Sequence, residues 1–411
     1  MDKFKKEELI EKIAHGLDIT PQMYNESTSV IRGIAHYLIS QIPNLEIFKQ
    51  GSFKLGTVIR PYNKDKDGEY DVDLVVKFQK DKDKISPSQL KQVLRACLKS
   101  EHYEKLLDDE KRRCWTLHIP SRTTPFHVDL LPCIKESENI IQNLSPIELR
   151  GSSVAITNIK DKDSKPYTYE WLTSNPKGFS QWFDSVNYKA YKEVKIRDRE
   201  RIFNQNPDIF GSVEEVSDEY TRSPLQKVIQ ILKRHRDVMF FDNKEVAPIS
   251  IIITTLVGKI VEENSSVFNT TYDLLNFVID GLNFYSQLTI SGYTTDFDER
   301  FKNKKLITKH MKDGKPYWQI QNPANSKENL ANKWNEHPEK IESFFKRVKQ
   351  VKVDLIDILD QTPAEIQAKL KYCLGEEFGN SLFENFSFES INASNTRVLN
   401  FNNQTPKPYR G

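Results

Sequence analysis

The chain has 411 residues, with 60 basic and 58 acidic side chains and a formal net charge of +2. This near balance gives no indication of a nucleic-acid-binding protein from charge alone. The mean hydropathy of −0.61 is typical of a soluble protein. No apolar run reaches the length of a membrane span, which supports the same prediction. A chain of this length is expected to bury a large core and to fold into two lobes.

The first predicted elements are a long helix, a strand and a tight turn. After Pro21, apolar residues recur at helical spacing as far as Ile39, and Leu45–Lys49 has the pattern of a strand. Gly51-Ser52 follows this strand, and we expect Ser52 to begin a helical turn whose N–H and hydroxyl groups face an anion. The charged N-terminus, which no apolar segment follows, predicts no secretory signal, so we expect a cytoplasmic protein.

Two alternating segments then carry three aspartates. In Glu69–Phe78, apolar and polar residues alternate as in a strand, which places Asp71 and Asp73 on one face. A second such segment, Pro125–Leu131, carries Asp129, which we expect beside the first two. Clustered carboxylates repel one another unless a cation neutralises them, and oxygen ligands suit Mg²⁺ or Mn²⁺ rather than zinc. The sequence therefore predicts a site for two Mg²⁺ ions, with Mn²⁺ as the alternative.

The second half of the chain is predicted to be helical. Between the two aspartate segments, an amphipathic helix begins after Ser86 and a strand spans Cys114–Ile119. From about Asp198 the strand patterns fade, which places a lobe boundary there. Helices are predicted at approximately 223–239, 247–263, 271–286, 327–361 with a break at Pro338, and 363–375.

Several other chemistries are not predicted. The four cysteines are scattered without Cys-x-x-Cys spacing, which is typical of reduced thiols and not of a thiolate zinc site. His118, His127 and His235 are separated in the chain and have no nucleophilic partner in a known motif, so a hydrolase triad is not expected. The chain also lacks the Gly-x-x-x-x-Gly-Lys-[Ser/Thr] motif of P-loop NTPases.

Taken in order, Gly51–Thr57, Asp71-Val72-Asp73 and His127-Val128-Asp129 resemble the motifs of the DNA polymerase β-like nucleotidyltransferase superfamily. Ser223–Asp237 is similar to the start of the helical half in the cyclic GMP-AMP synthase/oligoadenylate synthase branch, particularly in bacterial CD-NTases of CBASS anti-phage systems. The resemblance covers most of the chain. It implies an α/β (α+β) fold with a polymerase β-like catalytic lobe at 1–197, a helical oligoadenylate-synthase-like lobe at 198–385 and a C-terminal tail at 386–411.

The same resemblance implies an enzyme that joins NTPs, ATP or GTP or both, into a cyclic di- or trinucleotide messenger. Asp71, Asp73 and Asp129 would be the catalytic metal ligands, with Asp129 nearest the attacking oxygen. Gly51 and Ser52 would contact the donor phosphates, and Lys233 and Ser250 would contact them from the helical side. A surface lysine and a helix N-cap serine are the structural alternatives for these last two residues.

Two other functions remain open from the sequence. One is a template-independent transferase that makes linear oligonucleotides or modifies RNA or protein, and the other is an inactive nucleotide-binding scaffold. Activation by DNA is not expected, because the vertebrate DNA-sensing member uses a cysteine-rich zinc thumb that this chain lacks. The terminal Arg410-Gly411 resembles ubiquitin-like tails, which implies a ligase-like conjugation partner at Gly411; the alternative is an ordinary disordered terminus.

Overall fold

The computed structural model describes residues 1–64, 66–163, 165–188, 192–212, 215–263, 268, 270–286, 306–384 and 386–389. The strands are β1 (Glu46–Gln50), β2 (Tyr62–Asn63), β3 (Lys66–Asp67), β4 (Tyr70–Phe78), β5 (Trp115–Ile119), β6 (Phe126–Lys135), β7 (Val154–Ile159), β8 (Tyr169–Ser174), β9 (Thr308–Lys312), β10 (Lys315–Gln319), β11 (Gln321–Asn322) and β12 (Asn325–Asn329).

The helices are α1 (Lys3–Leu17), α2 (Pro21–Gln41), α3 (Gly51–Leu55), α4 (Pro87–Cys97), α5 (Glu101–Glu104), α6 (Glu138–Ile141), α7 (Pro176–Tyr188), α8 (Lys192–Gln205), α9 (Pro224–Met239), α10 (Ser250–Glu262), α11 (Thr271–Ser286), α12 (Asn332–Glu336), α13 (Glu339–Leu355), α14 (Pro363–Leu374) and α15 (Glu376–Phe383). None of these helices combines the length and the apolar character needed to cross a bilayer.

Six strands form the central mixed sheet. Its order is β1-β4-β6-β7-β8, and β5 pairs with the first half of β6. Strands β4 and β6 run parallel, while β6 is antiparallel to both β5 and β7. This parallel pairing sets the register of the acidic residues, because Asp73 lies opposite Asp129 and Asp71 lies opposite His127.

The alternation in β4 determines which side of the sheet is buried. Val72, Leu74 and Val76 are fully buried and belong to a core that α2 and α4 share with the sheet. Both helices have strong start signals, since Thr20 caps α2 and Ser86 forms a capping box with Gln89 at α4. The intervening polar residues of β4 therefore face away from this core.

A second core contains the helices of the C-terminal half. Apolar side chains of α9, α10, α11, α13 and α14 form it together with residues of α1 and α7. Helix α1 packs against α9 and α11, so the first helix of the chain covers the helical half. The lobe boundary at residue 198 remains a proposal. Chain segments from before residue 198 contribute to the core of the helical half.

Most of the predicted helices are present, but one region differs. The segment that was expected to be helical from residue 327 begins as strand β12 and continues as two helices separated near Pro338. Before it, β9 and β10 form a hairpin whose turn residues, Asp313 and Gly314, have φ of 52° and 73°. These positive angles fit a two-residue Asp-Gly hairpin turn, a local signal that the helical interpretation overlooked.

Candidate active site

The three predicted aspartates lie together on the polar face of the sheet. Asp71 and Asp73 project from β4, and Asp129 projects from β6 at the position paired with Asp73. Thr116 of β5, on the other side of Asp129, donates a hydrogen bond from Oγ1 to Asp129 Oδ1 at 2.5 Å. This bond holds the Asp129 carboxylate beside the other two. The predicted convergence is therefore present in the structure.

The cluster is electrostatically strained. Burial, and to a smaller extent the negative charges of Asp129 and Asp71, raises the pKa of Asp73 to about 7. The walls of the cleft partly desolvate Asp71 and raise its pKa, and Asp129 adds to this rise, while His127 opposes it. A group of oxygen ligands whose ionisation is held back by burial and mutual repulsion is suited to a divalent cation.

The Gly51-Ser52 turn lies against this cluster. Gly51 begins α3 with a φ of +63°, and a Cβ at this position would overlap Asp73 Oδ2. Glycine is thus required both for the backbone angle and for the close approach to the carboxylate. As predicted, Ser52 lies in the first turn of a helix, where backbone N–H groups have no partner within the helix. The turn and the carboxylates line the same cavity.

Gly51→Ala should test this close approach. We expect a loss of about 1–3 kcal/mol in the free energy of unfolding, from the strained φ and from overlap with Asp73. Because the overlap displaces a site carboxylate, turnover per folded molecule should also fall. Urea unfolding and steady-state kinetics would measure both effects.

Gly33→Ala is the matched control, since an added Cβ at Gly33 in α2 would have no atom within 4 Å. Alanine there should stabilise the helix by up to about 1 kcal/mol. A Gly51→Ala protein with wild-type stability and activity would contradict the proposed packing of the turn on Asp73.

Lys233 approaches the site from the helical half. It lies in α9, its residue is only 4% exposed, and its Nζ donates a hydrogen bond to the backbone oxygen of Thr57 at 2.9 Å. The alternative of a surface lysine is therefore wrong. Burial, and to a smaller extent the positive charge of Arg236, lowers the pKa of Lys233 to about 7. Lys233 lines the cavity that contains the aspartates.

Ser250 lies at the same cavity, as the first residue of α10. Ile249 occupies the N-cap position, so the alternative role of Ser250 as an N-cap is not observed. Its hydroxyl accepts a hydrogen bond from Arg236 Nη1 at 2.7 Å, and the Arg236 guanidinium is itself paired with Asp237. The sequence interpretation missed Arg236, although its place one helical turn after Lys233 gave a signal.

The cleft contains two adjoining cavities. The aspartates, Ser52 and Lys233 line a cavity of about 450 Å³. A second cavity of about 430 Å³ adjoins it and shares Ser52, Asp71, Lys233 and Ser250. Each volume lies within the range of small-molecule sites. All seven predicted site residues therefore line one cleft between the sheet and the helical half.

Part of the chain also matches a known family. Residues 45–132 match the family described as cyclic GMP-AMP synthase DncV-like, nucleotidyltransferase domain. The matched segment contains the Gly51-Ser52 turn and all three aspartates. A relative named c-di-GMP synthase, from Roseivirga ehrenbergii, is 26% identical over 351 residues, which cover 84% of this chain and 77% of the relative.

Solved structures share the fold over nearly the full length. The CD-NTase CdnG of Bradyrhizobium diazoefficiens, solved in complex with GTP, has a TM-score of 0.66 at 15% identity and covers 93% of this chain and 98% of its own. CdnC of E. coli MS115-1, in a complex with HORMA-deltaN, has a TM-score of 0.55 at 12% identity, with coverages of 90% and 98%. These similarities confirm the predicted fold class.

Proposed function

We propose that this chain is a CD-NTase-type nucleotidyltransferase that joins nucleoside triphosphates into a cyclic dinucleotide, with GTP as its main substrate. The observation that carries the proposal is the convergence of Asp71, Asp73 and Asp129 in one cavity with the Gly51-Ser52 turn. The choice of GTP is supported by the relative named c-di-GMP synthase and by the GTP bound to the similar CdnG structure. A cyclic trinucleotide is the alternative product.

The residues of the acidic cluster fit divalent cations. CD-NTases generally use divalent metal ions, and burial together with the charges of Asp129 and Asp71 raises the pKa of Asp73, an effect that a bound cation would offset. We propose two Mg²⁺ ions held by Asp71, Asp73 and Asp129, with Mn²⁺ as the alternative, since all three side chains offer carboxylate oxygens. When bound, such ions activate the attacking hydroxyl and stabilise the pyrophosphate leaving group.

The protein side chains would position the substrates. The start of α3, with the Ser52 hydroxyl, offers N–H and O–H donors to the donor triphosphate. Lys233 approaches the same cavity from α9, and Ser250 is oriented by Arg236. Asp129, held by Thr116, is the carboxylate proposed to lie nearest the attacking ribose hydroxyl. That oxygen attacks the α-phosphorus of the donor, and pyrophosphate leaves as the new phosphodiester forms.

Cyclisation requires this reaction to occur twice at one set of carboxylates. After the first bond forms, the linear intermediate must turn so that its own triphosphate becomes the donor. The two adjoining cavities support this sequence, because they share Ser52, Asp71, Lys233 and Ser250. One nucleotide at a time can therefore present its triphosphate while the other presents its hydroxyl.

Purified protein incubated with single NTPs and NTP pairs would test the proposal. With Mg²⁺ and GTP we expect a phosphatase-resistant product with the mass of a cyclic dinucleotide, and none in EDTA. A phosphatase-sensitive product would instead support a linear-oligonucleotide synthase, and no product from any NTP would support a scaffold. The Asp73→Asn protein controls for a contaminating activity.

The cellular role is also proposed. We infer from the CD-NTase fold that the product signals in anti-phage defence within the cytoplasm, which phage challenge of cells with wild-type or Asp73→Asn protein would test. The proposed conjugation site, Gly411, lies outside the described residues. Deleting Gly411 should leave nucleotide synthesis unchanged and prevent conjugation by a ligase-like partner, whereas continued conjugation would exclude a requirement for this glycine.

A further inference from the structure

Beside the aspartates, the same face of the sheet carries a second group of side chains of the types that can bind a metal ion. His127 lies two residues before Asp129 on β6, and His118 is its direct partner on the antiparallel strand β5. Glu69 immediately precedes β4, which runs parallel to β6 on its other side. One ligand atom from each of these three residues lies within 4.8 Å of the other two. We call this group the histidine site.

Each histidine has one ring nitrogen directed to this group and the other directed to an outer carboxylate. His118 Nδ1 is 4.0 Å from Glu69 Oε2, and its Nε2 is 3.2 Å from Asp108 Oδ2. His127 Nε2 lies against Glu69 Oε2, and its Nδ1 is 3.3 Å from Asp71 Oδ1. An outer carboxylate that fixes the ring of a histidine ligand is the usual second layer of protein metal sites.

One nitrogen in the group is enclosed. His127 Nε2 is shielded from solvent, and it faces the Glu69 carboxylate. The other two side chains are about half exposed, with 50% for His118 and 47% for Glu69, so they can move towards a shared ion. Tetrahedral bonds of about 2 Å require neighbouring ligand atoms about 3.3 Å apart, which small side-chain rotations from the present distances would reach.

We propose that Glu69, His118 and His127 bind a divalent transition-metal ion of the Zn²⁺ class at a site separate from the acidic cluster. Two imidazoles and one carboxylate form the ligand set of open zinc sites, and imidazole suits Zn²⁺ and Co²⁺ better than Mg²⁺. The exposed side of the group leaves the remaining coordination position to water or an anion. The acidic cluster, which contains only oxygen ligands, selects the opposite class of ion.

This assignment gives His127 a positioning role. Its Nδ1 faces Asp71 Oδ1 at 3.3 Å, so an ion on Nε2 would fix the ring and the tautomer that meets this carboxylate. The histidine site would thus tie β5 and β6 to the start of β4, directly beside the catalytic carboxylates. No cysteine takes part, which separates it from thiolate zinc sites.

Titration of metal-free full-length protein with Co²⁺ and Zn²⁺, with Mg²⁺ in excess to occupy the carboxylates, would test the proposal. We expect one Co²⁺ per chain, with d–d bands of a nitrogen–oxygen site and no thiolate charge-transfer band, and displacement by Zn²⁺. His118→Ala and His127→Ala should each weaken binding at least about a hundredfold. Asp108→Asn, which changes only the outer carboxylate of His118, should weaken it about 10- to 100-fold.

Two variants separate this site from other binding. Asp73→Asn disables the acidic cluster without touching the histidine site and should retain the Co²⁺ spectrum. His36→Ala removes an exposed histidine of α2 and should have no effect. Zn²⁺ should also raise the melting temperature of the wild type but not of His118→Ala. Unchanged Co²⁺ binding in His118→Ala, or loss of binding in Asp73→Asn alone, would overturn the proposal.

Discussion

Asp73→Asn is expected to abolish measurable nucleotidyl transfer, with a loss of at least about a thousandfold in kcat, while raising the stability of the metal-free protein. The loss follows because Asp73 is more buried than Asp71 and lies opposite Asp129 on the neighbouring strand, at the centre of the proposed metal ligands. The gain follows because the carboxylate repels Asp71 and Asp129 and is desolvated, and the amide removes that charge.

The raised pKa of Asp73 determines how the free energy of unfolding changes with pH. The carboxyl of Asp73 has a pKa of about 7 in the folded chain and an ordinary value of 3.8. Below pH 3.8 it is protonated in both the folded and the unfolded chain, so its ionisation does not lower the free energy of unfolding. Between about pH 4 and 7 only the unfolded chain ionises freely, so the free energy of unfolding falls as pH rises. Above pH 7 the full cost, about 4 kcal/mol, is present.

Urea unfolding in EDTA at several pH values would measure this difference between wild type and Asp73→Asn. We expect the variant to gain stability above pH 7 and to lose the gain at pH 4, and we expect Mg²⁺ to stabilise the wild type more. Asp83→Asn, which changes an exposed aspartate in a loop away from the cluster, is the matched control. Equal stabilities at pH 8 in EDTA, or wild-type turnover, would refute the assignment of Asp73.

The acidic cluster could be predicted because apolar and polar residues alternate along the strands that carry its aspartates. The period of two in β4 places Asp71 and Asp73 on one face, and a second alternating segment carries Asp129, which the structure pairs with Asp73. The sequence-based prediction failed where side chains are brought together by a strand register that the sequence does not specify. His118 and His127 were considered separate because the turn over residues 120–125, although it connects β5 to β6, does not by itself fix the register that pairs them.

Lys233 shows the same limit for helices. Its position in α9 was predicted from the apolar period, but its burial depends on Thr57, 176 residues earlier, whose backbone oxygen accepts its hydrogen bond. Long-range packing of this kind has no local signature. The β9–β10 hairpin is different, because Asp313-Gly314 is a local turn signal that the surrounding expectation of helices obscured.

Lys233→Met is expected to raise the apparent KM for the donor NTP about tenfold or more, with little loss of stability. The variant retains most of the side-chain volume but removes a charge-assisted contact with phosphate, which is worth about 1.5–3 kcal/mol. Methionine is the better test than alanine, because Lys233 is buried and truncation would leave a cavity beside Thr57. Removing a buried, poorly compensated ammonium should offset the lost hydrogen bond to Thr57.

The lowered pKa of Lys233 makes a second readout available. With a folded pKa of about 7 against an ordinary 10.5, the free side chain is mostly neutral at pH 8.5, whereas unfolded chains are protonated there. The unfolding free energy should therefore rise with pH between about 7 and 10.5, a slope that Lys233→Met removes. A bound triphosphate would favour the charged form, so NTP binding at pH 8.5 should take up as much as one proton.

Calorimetric titrations of non-hydrolysable GTP in two buffers with different ionisation enthalpies would count this proton. The wild type should show uptake at pH 8.5 and little at pH 6, where Lys233 is already protonated, and Lys233→Met should show less at pH 8.5. Lys349→Met, an exposed lysine on α13, is the control and should behave as wild type. If Lys233→Met binds the analogue with unchanged affinity and unchanged proton uptake, Lys233 serves only the packing of α9 against the loop at Thr57, and the donor phosphates must be held by other groups.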